Sequence, residues 1–164
     1  MKWYALYVQC GNELTVQKWL NVKMKENFKS IVPRRYLIET KSNTSREIIK
    51  VIFPGYVFIN INMSEDNYYK IKSIPSILKV LSYNSYCTEI PEKEMIPILN
   101  LIKDDEIIKY SKILFDNSEF KILSGPLKNN EHMIKKINKH KKRASVYLKL
   151  NNEDKKIDLG IILV

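Results

Sequence analysis

An α+β domain, an antiparallel sheet flanked by helices, followed by a small all-β barrel is the architecture this sequence predicts, on three observations. Over residues 1–102, strand-like and helix-like runs follow one another in the order β-α-β-β-α-β-α. After residue 118 the apolar residues alternate with a period of two, and tight turns separate the runs. Between these regions, KDDEIIKYSKILFDNS (103–118) clusters charge and loses periodicity. The predicted division is therefore an N-terminal domain over 1–102, a linker over 103–118 and a barrel over 119–164.

The elements follow in order. KWYALYV (2–8) reads as a strand. Asn12-Glu13 supply a cap and an acidic first turn for a helix in which Val16, Trp19 and Leu20 recur at helical spacing. SIVPRRYLIET (30–40) and REIIKVIFPGYVFINI (46–61) read as two long strands joined by the polar turn KSNTS. Ser64 caps a short helix, SEDNYYKIKSI, and the strand ILKVLSY follows. A helix is predicted near EKEMIPILNLI, kinked or started late by Pro97 inside it. In the barrel region the strands are EFKILSGPL, MIKKIN, ASVYLKL and KIDLGIILV, with NNEDK as one of the turns. Ala144, Val146, Leu148 and Leu150 share one strand face. Ile157, Leu159, Ile161 and Leu163 repeat the pattern.

One stretch breaks the rule for a half-buried strand. In VIFPGYVFINI (51–61) the residues after Pro54-Gly55 are large and apolar on both faces. Strand parity predicts Val57 and Ile59 in the domain's own core and leaves Tyr56 and Phe58 facing the other way. On the first strand, Trp3, Ala5 and Tyr7 share a face opposite Tyr4, Leu6 and Val8.

The composition limits the chemistry. No apolar run reaches the roughly 20 residues that span a bilayer, and the N-terminal apolar run is short and broken by Gln9. A soluble cytoplasmic protein without membrane contact is expected. Cys10 and Cys87 form no metal-spaced pair and read as small buried hydrophobes. Only two histidines are present. There is no Gly-rich phosphate loop, no H-E-x-x-H and no nucleophile elbow. No enzyme, no catalytic residue, no metal and no cofactor are expected.

The net charge is +10, from 28 basic and 18 acidic residues, which points to a polyanionic partner. The charge is concentrated. In KNNEHMIKKINKHKKR (128–143), Lys128, Lys135, Lys136, Lys139, Lys141, Lys142 and Arg143 face Glu131 alone. Lys139 to Arg143 fall on a predicted strand–strand turn, where like charges repel unless a counter-charge arrives. A solvated tip protecting a sheet edge is the alternative reading. The expected ligand is RNA, held through phosphates, with the planar groups of His140 and Arg143 stacking on or forking to a base.

WYALYVQCGNE (3–13), VPRR (32–35), FPGYVFI (53–59), VL (80–81) and IPEKEM (90–95) resemble, in order and spacing, the N-terminal (NGN) domain of the NusG family. GPLKNNEHMIKKIN (125–138) is similar to the KOW motif that follows it. The resemblance implies a transcription elongation factor whose N-terminal domain seats an apolar depression on the clamp helices of the largest RNA polymerase subunit. Carried over position by position, Trp3, Tyr7, Phe53, Tyr56 and Phe58 fall in that depression. His132 stands where the KOW motif usually has glycine, and YLKLNNEDKK replaces an F-G-R-type stretch. Contacts with termination factor Rho or ribosomal protein S10 are therefore not implied. The sequence is nearest the LoaP subfamily, which promotes processive antitermination and recognises a leader RNA hairpin. The expected partners are RNA polymerase and a nascent RNA hairpin, with the protein acting as a monomer. Two alternatives stay open: a general elongation factor without RNA specificity, and a ribosome-associated KOW protein.

Overall fold

Alternation sets the first strand, β1 (Lys2–Val8). Tyr4, Leu6 and Val8 on one face are almost fully buried, as parity predicts. Helix α1 (Glu13–Met24) follows and buries Val16 and Leu20. Strands β2 (Phe28–Ile31), β3 (Arg34–Lys41), β4 (Thr44–Val51) and β5 (Tyr56–Ile61) come next. They are followed by helix α2 (Glu65–Lys72), β6 (Ile77–Val80), the short strands β7 (Ser82–Tyr83), β8 (Tyr86–Cys87) and β9 (Glu89–Ile90), and helix α3 (Glu92–Ile102). The C-terminal part is all β apart from one 3-10 turn at Glu131–Met133: β10 (Ile107–Ile108), β11 (Ser111–Asp116), β12 (Glu119–Ser124), β13 (Ile134–Asn138), β14 (Arg143–Leu150) and β15 (Glu153–Leu163). This computed structural model describes residues 1–25, 27–83 and 86–164.

The chain divides into two compact units, 1–32 with 53–95, and 33–52 with 96–164. In the first unit the sheet order is β2-β5-β1-β6, with β9 also paired to β1. β5 is central, antiparallel to β1 from Lys2↔Ile61 to Tyr7↔Tyr56, and to β2 on its other edge. Val57, Phe58 and Ile59 are all buried, so both faces of β5 are covered at its middle, which is why YVFINI does not alternate.

In the second unit, β3 and β4 form a hairpin closed by Ser42 and Asn43, both with positive φ (50° and 61°). That pair of left-handed residues suits a tight two-residue turn matched to strand twist. β10 pairs parallel to β3. A separate five-stranded sheet runs β12-β11-β15-β14-β13, and Ile113, Ala144, Val146, Leu148, Leu150, Leu159 and Ile161 are buried with almost no exposure. It is the curled all-β module expected, and the helix-and-sheet architecture before it also agrees with expectation.

β3 lies against β15 at a residue without a side chain. A Cβ on Gly160 would come 2.5 Å from the Tyr36 carbonyl oxygen and 2.6 Å from the Tyr110 ring. The two tyrosine rings stack with centroids 6.0 Å apart, and burial pushes the Tyr110 hydroxyl up to about 12. An isolated glycine inside a strand marks close backbone approach.

Several expectations need correction. The two long strands are four. Val32-Pro33 separates β2 from β3, and Pro54-Gly55 lies between β4 and β5, because proline supplies no N–H to a ladder. The expected linker over 103–118 carries β10 and β11, and β11 pairs with both β12 and β15. Of its charged residues only Lys112 and Asp116 lie in a strand, on the exposed face of β11 whose other face buries Ser111 and Ile113; Lys103 to Glu106 and Lys109 lie outside β10 and β11. Asn12 precedes α1 but makes no side-chain cap. Trp19 is 51% exposed rather than core, and Cys10 is exposed. Ser64 does cap α2, accepting from the Asn67 N–H at 3.1 Å. α3 starts at Glu92 with Pro97 inside it.

Candidate functional site

The first unit presents an aromatic sheet face. Tyr7 and Tyr56 are directly paired across β1 and β5, and their rings meet edge to face at 5.7 Å. Tyr7 is 38% exposed and Tyr56 half-buried. The Lys79 ammonium sits 5.7 Å from the Tyr7 ring centre, and Leu78 beside it in sequence is 55% exposed. This corner of the sheet offers apolar and aromatic area to solvent.

Pro54-Gly55 is fixed by a residue that sequence reasoning treated only as part of a helix start. The Glu13 carboxylate, 4% exposed, accepts from the Gly55 N–H at 2.8 Å and from the Gly11 N–H at 3.0 Å. The Val8 N–H donates to the Gly55 carbonyl at 2.8 Å. Gly55 takes φ +84°, a conformation that favours glycine. The strand entry leading to Tyr56 is therefore bonded from both sides. No local motif signals this role for Glu13, whose partner lies 42 residues away.

Phe53 and Phe58 do not lie in the exposed depression, and this is a correction. They are 3% and 0% exposed and pack edge to face at 5.5 Å. Phe58 faces Ala5, itself fully buried. Parity placed Phe58 on the right face, but that face is covered at its centre. Trp3 is half-buried and shares the face, opposite Asn60. It stands four residues along β1 from Tyr7, about 13 Å at strand rise, and lines a separate depression of about 310 Å³ with Asn60, Ile90 and Pro91.

The second unit carries the charge. Asn138↔Arg143 is the last pair of β13 and β14, and Lys139–Lys142 make the turn between them. The turn is built rather than loose. The Lys141 N–H donates to Asn138 Oδ1 at 2.9 Å, Lys142 takes φ +53°, and its carbonyl accepts from the Ile161 N–H at 3.1 Å.

His140, Lys141, Lys142 and Arg143 line a groove of about 490 Å³ whose opposite wall is Ile38, Glu39, Thr40 and Lys41 of β3. Glu39, the one carboxylate among these lining residues, accepts from Lys50 at 2.8 Å and lies 3.6 Å from Arg46. The Lys50 hydrogen bond foremost, with both positive charges, holds its carboxyl below the usual carboxylate range. The groove therefore keeps a cationic character.

Arg143 is half-buried at the groove. It acts electrostatically on Arg35, whose guanidinium is disfavoured in its charged form first by burial and then by Arg143, with Asp158 opposing both. The Ser145 hydroxyl donates to Asp158 Oδ1 at 2.6 Å.

The structure brings four of the sequence-selected cations and His140 together on this turn and leaves three elsewhere. Lys135 is the extra residue of a bulge in β13 and Lys136 pairs with Ser145. Lys128 closes the turn that starts at Gly125. All three are exposed, and none lines the groove. Sequence reasoning missed the wall from β3, including Thr40 and Lys41. The one signal for it was the lone Gly160 in an alternating strand.

Among the described residues no cluster of His, Cys, Asp and Glu could hold a metal ion, and no helix is long and apolar enough to cross a membrane. The α+β unit thus carries a partly exposed tyrosine pair, and the unit with the curled β sheet a cationic groove. Residues 1–99 match the family model described as transcription termination factor NusG. The chain belongs to the NusG family of transcription termination/antitermination factors. It is 28% identical to the Helicobacter pylori NusG protein over 137 residues, covering 79% of this chain and 77% of that one. It is 24% identical to the Bacillus subtilis NusG protein over 96% of this chain and 93% of that one. The solved structure of Thermotoga maritima NusG has the same fold, with a TM-score of 0.59 at 24% identity over 97% of this chain and 93% of that one.

Proposed function

We propose that the protein is an operon-selective antitermination factor of the LoaP type, acting as a monomer that holds RNA polymerase with one surface and a nascent leader RNA hairpin with another. The observation that carries the RNA half is the ordered cationic turn Lys139–Lys142 with Arg143, lining a groove whose single carboxylate is already countered. Lys128, Lys135 and Lys136 add exposed charge on neighbouring strands and turns. Affinity from such a set rests on phosphate neutralisation and falls with salt. His140 and Arg143 supply the planar groups that recognise base edges or faces.

The polymerase half rests on the Tyr7–Tyr56 pair, backed by buried Phe53 and Phe58, with Trp3 further along the same face. Exposed tyrosines on a rigid backing are the residues that dominate protein interfaces, and the clamp helices of the largest polymerase subunit are the partner proposed for them. One chain bearing both sites raises the local concentration of polymerase at the RNA that recruits it.

Gel shifts of the full chain against leader hairpins and scrambled-stem controls, at physiological salt, test this reading. Selective binding is expected, and charge reversal at Lys141 and Lys142 together should weaken it by about tenfold or more. Weak binding that ignores RNA sequence and structure would instead identify a general elongation factor.

A further inference from the structure

We infer that the hairpin formed by β11 and β12 is a base-stacking platform, which takes an unpaired nucleobase of the RNA held by the neighbouring basic turn. The inference rests on the RNA-binding reading above. Phe115 and Phe120 are directly opposite each other in the β11–β12 pair, with ring centroids 6.2 Å apart and planes tilted by 53°. They continue the parity of Ile113 and Ile122, also directly paired and both buried. The inward face of this hairpin thus runs two residues past the core, and there it opens to solvent: Phe120 is 42% exposed.

The basic turn is joined to this pair. The Lys139 ammonium sits 3.8 Å from the centre of the Phe115 ring, well inside cation–π range. The same turn therefore touches an aromatic pair through its first residue and lines the cationic groove through His140, Lys141 and Lys142. A ring left half in water beside a run of cations fits one ligand chemistry best, a flat π-face carried on a polyanion. A phosphate caught by the turn brings its own base within reach of Phe120. Stacking needs no base-edge code, so the platform selects for an unpaired base rather than a particular one. It favours stems with an open loop or bulge over uninterrupted duplex, whose bases are already stacked.

The test uses the full chain and a short RNA stem closed by an adenine loop, compared with the same stem whose loop carries abasic ribose phosphates. For the wild-type chain, removing the loop bases should weaken binding about tenfold, within the range for one base stacked on one aromatic ring. Phe120→Leu should cost a similar factor with the adenine loop and nothing with the abasic loop, while leaving the slope of log affinity against log salt unchanged. Phe120→Tyr should restore binding. Lys139→Gln should instead lower that slope for both RNAs. Equal loss for both loops with Phe120→Leu, or no loss for either, would overturn the platform while leaving the cationic site standing. Failure of the wild-type chain to bind either stem would overturn both readings.

Discussion

On β1 and β5, Tyr7 and Tyr56 stand on a sheet whose neighbouring residues Ala5, Val57 and Phe58 are wholly buried. On the turn after β13, Lys139 to Lys142 are exposed, and their backbone rather than their packing holds them in place. The first surface is ready-made area: its rings are held by strand pairing and by the Glu13 tie to Gly55, so little freedom remains to be lost on docking. The second is ready-made charge. Its side chains are exposed, and adjacent cations repel one another until a polyanion arrives. The two surfaces should therefore differ in how they respond to salt, to truncation and to core mutation.

Core mutation should separate them most strongly. Phe58→Ala removes a fully buried ring from the centre of the first sheet and should cost about 4 kcal/mol of stability, read as a shift of the urea midpoint. If that variant keeps wild-type stability yet fails to bind polymerase, Phe58 is a contact residue after all and the contrast between backing and surface collapses. Gly160→Ala is the corresponding lesion in the second unit. Its new methyl group would meet the Tyr36 carbonyl and the Tyr110 ring inside 3 Å, an overpacking worth about 3 kcal/mol. Faster hydrogen exchange along β3 and β15 is expected, together with loss of RNA affinity, because β3 forms one wall of the groove.

The same contrast explains what was legible in the sequence. Alternation located β1 and β14 within a residue, since period-two burial is a local property, but missed the first three residues of β15, Glu153 to Lys155, which lie in the predicted NNEDK turn. Exposure at a given position is not local. Tyr56 and Phe58 have the same parity and similar chemistry, yet one is half-buried and the other has no exposure. The difference depends on what covers the middle of the sheet. Charge was easier to read, because five consecutive residues from Lys139 to Arg143 stay clustered in any fold. What could not be read was the wall facing them, about a hundred residues earlier in the chain at Ile38–Lys41. Pro33 and Pro54-Gly55 mark the division, but both lie inside runs that read as single long strands, and proline alone does not say that β2 and β3 join different sheets.

The smallest effect in free energy is the most specific to the comparison. Tyr7→Ala and Tyr56→Ala each remove a ring that is already partly in water, so their cost to folding should stay near or below 1 kcal/mol. Their cost to binding should be larger. Truncating an aromatic anchor at an interface removes about 2 kcal/mol, so binding to isolated clamp helices should fall roughly thirtyfold for either change. The rings meet at 5.7 Å, and the double variant should lose less than the sum of the single losses because each ring orients the other. Raising salt should leave this binding nearly constant while RNA affinity collapses, since screening acts on the turn's charges and not on buried ring area. A steep salt dependence for clamp-helix binding would shift the weight from the tyrosine pair to Lys79, whose ammonium lies over Tyr7, and would make both surfaces electrostatic.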